Sequence, residues 1–134
     1  MRNIDLITIH HSGSDNPLHD RIEVIRKWHR DRGFSDVGYH YYINFEGGIF
    51  CGRPLSKKGA HTRGFNSKSI GICVGGLDGI SPMQKKSLIA LVKNLVDIFN
   101  IPIENIKRHK DLAPTECPTF DINFLTHAIR KHLE

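Results

Sequence analysis

The stretch RHKDLAPTECP, residues 108–118, constrains this chain more than any other. It offers His109 and Cys117 with seven residues between them, and Pro114 and Pro118 stiffen the backbone between and after them. An imidazole and a thiolate are the side chains zinc prefers, at roughly 2.0–2.1 Å and 2.3 Å from the metal. A stiff loop can bring both to one point without a helix. Two ligands make no site, so a third must come from elsewhere. The best candidate lies far upstream in ITIHHS, residues 7–12, where His10 and His11 end an apolar run. Three protein ligands and an open position make a catalytic zinc site, and four closed ligands a structural one. These residue types suit equally a loop cysteine and a surface histidine with no metal.

Other features bound the possibilities. A chain of 134 residues is expected to form one domain, 1–134, with a real core. No apolar run approaches the ~20 residues that span a bilayer, so membrane insertion is not expected. MRNIDLITIHH is interrupted by Asp5 and does not read as a secretory signal. The expectation is synthesis in the cytoplasm without a signal peptide. Three widely spaced cysteines, Cys51, Cys73 and Cys117, argue against a disulfide framework. The formal charge of +5 suits an anionic partner, but no block of like charges appears, and much of it reads as solvated surface. Nucleic-acid recognition would want CxxC knuckles or a basic helix, and neither is present.

Residues 4–9 read as a buried strand, with His10 and His11 at the carboxyl end, where active sites of open α/β sheets collect. Adjacent strand residues face opposite ways, so one of the two histidines faces a given site. Asn16-Pro17 resembles a helix start, and Leu18, Ile22, Ile25 and His29 mark one face of a helix stopping near Gly33. Trp28 flanks that face as a core residue. YHYYINF, a Glu46-Gly47-Gly48 turn and Ile49-Phe50-Cys51 read as a hairpin, with Tyr39, Tyr41 and Ile43 on one face and His40 and Tyr42 on the other. Residues 53–68 form a basic, glycine-punctuated loop without periodicity, and SIGICVG at 69–75 reads as another strand. Cys51 and Cys73 read as buried apolar residues. Ser81-Pro82-Met83-Gln84 combines a capping box with proline at the first helical position, ahead of an apolar series ending near Asn100. Asp121 is expected to cap a last helix through Leu125, Ile129 and Leu133. The expected fold is α/β, a single mixed central sheet flanked by about three helices.

Four stretches, ITIHHS, DVGYHYYI at 36–43, GAHTRGFNSKSIGICVGG at 59–76 and RHKDLAPTECPTFD at 108–121, together resemble the zinc-dependent N-acetylmuramoyl-L-alanine amidases. That group includes amidase-type phage lysozymes and the peptidoglycan recognition proteins. The helix IRKWHRDRGF at 25–34 also resembles its phage counterpart, so the resemblance covers nearly the whole chain in order. It implies Zn²⁺ held by His10, His109 and Cys117, and a catalytic role for Tyr39. Where the phage enzymes carry a catalytic lysine this chain has Thr115, which takes that place as the second catalytic candidate. The implied reaction is hydrolysis of the amide between N-acetylmuramic acid and the L-alanine of the peptidoglycan stem. The implied setting is a phage or prophage endolysin, a monomer acting on the cell wall after release or export by another factor.

The stem carries free carboxylates, and the 53–68 loop supplies Lys57, Lys58, Arg63 and Lys68 as a wall for them. His61, Arg63 and Asn66 are the substrate-binding candidates. His11 reads as a packing or supporting residue, and His19, His29, His127 and His132 as surface or core-edge positions. A binding module without turnover would keep the fold, but loss of the metal cysteine would mark it, and Cys117 is present.

Overall fold

The computed structural model describes residues 2–134. Its β-branched segments build one sheet: β1 (Leu6–His11), β2 (Tyr41–Ile43), β3 (Ile49–Cys51), β4 (Ser69–Val74) and β5 (Ile106–Arg108). The order is β3-β2-β4-β1-β5, with β3 antiparallel at one edge and the other pairings parallel. The helices are α1 (Ile22–Asp31), α2 (Pro82–Phe99), the single turn α3 (His109–Leu112) and α4 (Asn123–His132). This is the expected mixed sheet, with three long helices and one extra turn. No helix among the described residues is long and apolar enough to cross a membrane.

Strand alternation divides the layers. Ile7 and Ile9 of β1 and Ile70, Ile72 and Val74 of β4 point toward α2 and α4, where Leu88, Val92, Leu95, Leu125 and Ile129 close an apolar core. Tyr42 and Cys73 point the other way, toward Ile22 and Ile25 of α1. The second helix begins as its sequence implies. Gln84 N–H donates to Ser81 Oγ at 3.1 Å while Ser81 N–H donates to Gln84 Oε1 at 3.0 Å. It stops at Asn100, which takes the left-handed conformation, φ 53°.

Several expectations are corrected. The first helix starts at Ile22, not after Asn16. Asn16 does cap, but it caps the short 3₁₀ turn Pro17–His19, leaving Leu18 76% exposed. Asp20 separates turn from helix because its carboxylate takes the Tyr42 hydroxyl at 2.5 Å and the Phe45 N–H at 2.9 Å. The metal-loop candidate also holds regular structure: β5 pairs with β1, and His109 opens α3. Cys51 is exposed on the edge strand, while Cys73 is buried. Within 39–43 the regular strand begins only at Tyr41, so the strict alternation expected of Tyr39 and His40 fails. Tyr39 packs with Tyr42 on the α1 side, and the rings of Tyr39 and His40 lie 6.4 Å and 5.9 Å from that of His61.

Candidate metal centre

The centre forms where parallel strands β1 and β5 end side by side. His10 is the penultimate residue of β1, and alternation turns its ring to the α1 face, away from Ile9. His109 follows β5 directly, at the start of a turn that Asp111 fastens. The Arg108 N–H donates to Asp111 Oδ2 at 2.9 Å, and the Arg108 guanidinium donates to Asp111 Oδ1 at 2.9 Å. That guanidinium holds the Asp111 carboxyl below its ordinary range. Cys117 returns to the same point because Lys110 N–H donates to Cys117 O at 2.7 Å and His11 N–H donates to Cys117 Sγ at 3.3 Å.

Among the described residues, ligand atoms of His10, His109 and Cys117 lie within 4.8 Å of one another. The His10 and His109 ring centroids are 4.5 Å apart. Tetrahedral coordination at ordinary zinc–nitrogen and zinc–sulfur lengths separates ligand atoms by about 3.3–3.7 Å, a spacing compatible with this cluster. Two neutral imidazoles and one thiolate would leave a bound dication with net positive charge. The donor set fits zinc. Both imidazoles are held neutral by burial, His10 strongly and His109 less so. Burial raises the Cys117 thiol, partly offset by the His11 N–H and Lys110. A bound dication reverses that balance, since a coordinating thiol is deprotonated.

Tyr39 lies beside the cluster, its ring 5.0 Å from that of His10. Burial, then the neighbouring Cys73 and Cys117, raise its phenol well above the ordinary value. It therefore stays protonated as a donor. Thr115 Oγ1 accepts the Cys117 N–H at 3.3 Å, so this hydroxyl already supports the loop that carries the cysteine. Asn66 is similarly engaged: its Oδ1 takes the N–H groups of His61 and Thr62, each at 2.9 Å. Arg63 is exposed. With Arg32, Phe34, His61, Thr62 and Asn66 it lines a cavity of about 280 Å³. Lys57, Lys58 and Lys68 are also exposed, and Lys68 Nζ lies 5.4 Å from the centre of the Phe65 ring.

Three further histidines matter more than their positions in the sequence suggest. His29 is buried, not at the core edge; its Nδ1 takes the Gly38 N–H at 2.7 Å, next to Tyr39. His40 Nδ1 takes the Gly71 N–H at 3.0 Å, and its Nε2 lies 2.8 Å from Lys57 O. His61 Nδ1 lies 2.9 Å from His10 Nε2. Burial is the first cause that lowers all three, His29 and His40 to about 4 and His61 to about 3. The available signal was glycine, since side chains at Gly38, Gly59 and Gly71 would collide with neighbouring backbone or with these rings.

Comparison with known proteins bears on this arrangement. The endolysin of Escherichia phage T7 is 34% identical over 126 residues, covering 88% of this chain and 82% of that protein. The N-acetylmuramoyl-L-alanine amidase LysC from Clostridium intestinale superposes with a TM-score of 0.89 at 35% identity, covering 96% of this chain and 87% of that one. Drosophila PGRP-LB superposes with a TM-score of 0.77 at 26% identity, covering 88% and 76%. A family profile described as N-acetylmuramoyl-L-alanine amidase matches residues 1–120, which contain the whole His10, His109 and Cys117 cluster. With the amidase fold, phage endolysins among its relatives and that cluster inside the matched region, the chain belongs to the N-acetylmuramoyl-L-alanine amidase family and is an amidase of the phage-endolysin type.

Proposed function

We propose that this amidase works on the peptidoglycan stem with one Zn²⁺ held by His10, His109 and Cys117. The convergence of their ligand atoms within 4.8 Å carries the reading. When bound, the ion supplies Lewis acidity, lowering the pKa of a bound water toward ~7 and polarising the amide carbonyl. The chain's own groups do the rest. Tyr39 keeps its proton under burial and donates a hydrogen bond to the carbonyl oxygen as negative charge develops there. Thr115 holds Cys117 through its N–H, and the hydroxyl hydrogen remains free to donate. Arg63, at the mouth of the cavity that His61 and Asn66 also line, faces the free carboxylates of the stem. Asn66 contributes by shaping the wall, since its oxygen is already used.

The test is digestion of purified peptidoglycan, with products identified by mass. Free stem peptides beginning with L-alanine are expected, with loss of release under chelation and recovery on adding Zn²⁺. Release that persists in zinc-depleted protein would refute the metal assignment. Fragments cut within the glycan or the peptide would refute the bond assignment.

A further inference from the structure

We propose that His61 is a positioning residue of the metal centre: it holds His10 through Nε2, so that His10 presents Nδ1 to the ion. This rests on His10 being a ligand, as proposed above. The observation is the 2.9 Å contact between His10 Nε2 and His61 Nδ1. A neutral imidazole has one donor and one acceptor nitrogen, so this contact fixes both rings once one role is set. If His10 coordinates through Nδ1, its proton lies on Nε2 and is donated to His61 Nδ1. His61 then carries its own proton on Nε2, where Ser69 Oγ stands at 3.2 Å to receive it. Thr62 Oγ1 is 3.0 Å from His61 Nδ1 and 3.4 Å from His10 Nε2, adding a second polar group at the junction. Each ring nitrogen in the chain has a role.

The slot around His61 is built to hold that ring in one place. A Cβ on Gly71 would sit 2.5 Å from His61 Cδ2 and 2.7 Å from its Nε2, and a Cβ on Gly59 would sit 2.5 Å from Cδ2. Contacts that short do not occur between real atoms, so both glycines make room for the imidazole. Behind it, Asn66 pins the 61–62 backbone. A histidine serving only as a substrate contact would need its nitrogens free toward the cavity. Here one meets a ligand and the other a serine with no exposed surface. Partners of this kind orient metal-bound histidines, and their loss typically weakens metal affinity by about 10–100-fold.

Three substitutions separate the roles. In His61→Asn the side-chain oxygen falls where Nδ1 was and still accepts from His10. In His61→Gln the amide falls near the Nε2 position, and His61→Leu has no acceptor. Zn²⁺ affinity, by competition with a chromophoric chelator, and the visible spectrum of the Co²⁺-loaded protein are measured for each beside His10→Ala. The Asn form is expected to bind zinc within about threefold of the parent with an unaltered Co²⁺ spectrum. The Gln and Leu forms are expected to lose about 10–100-fold in affinity and to change the spectrum. Should the Leu form not fold, the Asn and Gln pair carries the same contrast. Parent-like affinity in every His61 variant, with a raised KM, would overturn the positioning role. Equal weakening in all of them would do so too, because placement of the acceptor would then be irrelevant. Undiminished affinity in His10→Ala would instead remove the ligand assignment on which the proposal stands.

Discussion

The two faces of the sheet answer to different physics. On the α2 and α4 side, Ile7, Ile9, Ile70, Ile72 and Val74 meet Leu88, Val92, Leu95, Leu125 and Ile129 in a layer of aliphatic side chains. On the α1 side the same strands present Thr8 and His10, and His29, His40 and His61 are buried or half-buried around them. The first layer gains from the apolar area it removes from water. The second gives up much of that gain, because each buried imidazole must stay neutral and find a partner for its nitrogens. Two neighbouring residues of one strand, Ile9 and His10, belong to opposite regimes. One face holds the chain folded, and the other holds a set of rings in register.

The sharpest contrast comes from breaking one face at a time. Cys117→Ala removes the thiolate from the cluster, and amide hydrolysis is expected to fall to background with zinc content near zero. Its thermal midpoint without metal should stay close to that of the parent apoprotein. Leu88→Ala is the mirror experiment, since this residue has no exposed surface in the aliphatic layer. Denaturant unfolding should show a loss of about 2–5 kcal/mol, with zinc affinity and turnover retained at temperatures where it remains folded. If Leu88→Ala failed to take up Zn²⁺ while still folded, the two faces would be coupled and not independent.

Finer cuts stay on the polar face. Tyr39→Phe keeps the ring against His10 and removes only the donor, so turnover should drop about 10²–10³-fold with metal content unchanged. Turnover equal to the parent's would take Tyr39 out of the mechanism. The smallest effect is in pH dependence. His29 is held neutral to about 4 in the folded chain against an ordinary 6.5, so between those values the unfolded chain binds more protons. Stability is therefore expected to fall as pH drops from about 6.5 toward 4, with a slope of up to roughly 1.4 kcal/mol per pH unit from one such group. His29→Asn keeps an acceptor for the Gly38 N–H but cannot take up that proton. Equilibrium unfolding across this range should show a shallower slope than the parent, and an identical slope would assign the acid sensitivity to other histidines.

How much of this was legible depended on periodicity. The second helix could be placed from Ser81, Gln84 and its apolar series because those signals are local. His10, His109 and Cys117 could be named because ligand chemistry depends on residue type, and the family pattern supplied their grouping. The three-residue β5 could not be read, since Ile106, Lys107 and Arg108 show no pattern and pair only because β1 lies beside them. Tyr39 departs from strand alternation because it lies two residues before the strand begins, on the side of Tyr42. Leu18 fits the helical spacing of the first helix, but Asp20 accepts from Tyr42 and Phe45, and such long-range bonds leave no trace in that spacing. The histidine lattice was the least legible part. By sequence His29 reads as a surface or core-edge position and His61 as a substrate contact, until the glycines opposite them are counted as space.

The 53–68 segment shows how an irregular loop can be kept ordered from outside. Ordering such a backbone costs about 1–2 kcal/mol per residue in lost freedom, and within the segment turn bonds and the Asn66 side chain offset part of that. In addition, the Arg2 guanidinium donates to the carbonyls of Leu55, Asn66 and Ser67 at 3.0, 3.1 and 3.2 Å, while that of Arg53 donates to those of Val37 and Lys58 at 2.8 and 3.1 Å. Two arginines thus divide one long span into short ones anchored at both ends. A protease needs several consecutive residues to unravel into its cleft, and each anchor raises the cost of that unravelling. Arg2→Ala releases the carbonyls of Leu55, Asn66 and Ser67, and limited proteolysis is expected to cut this segment faster than in the parent.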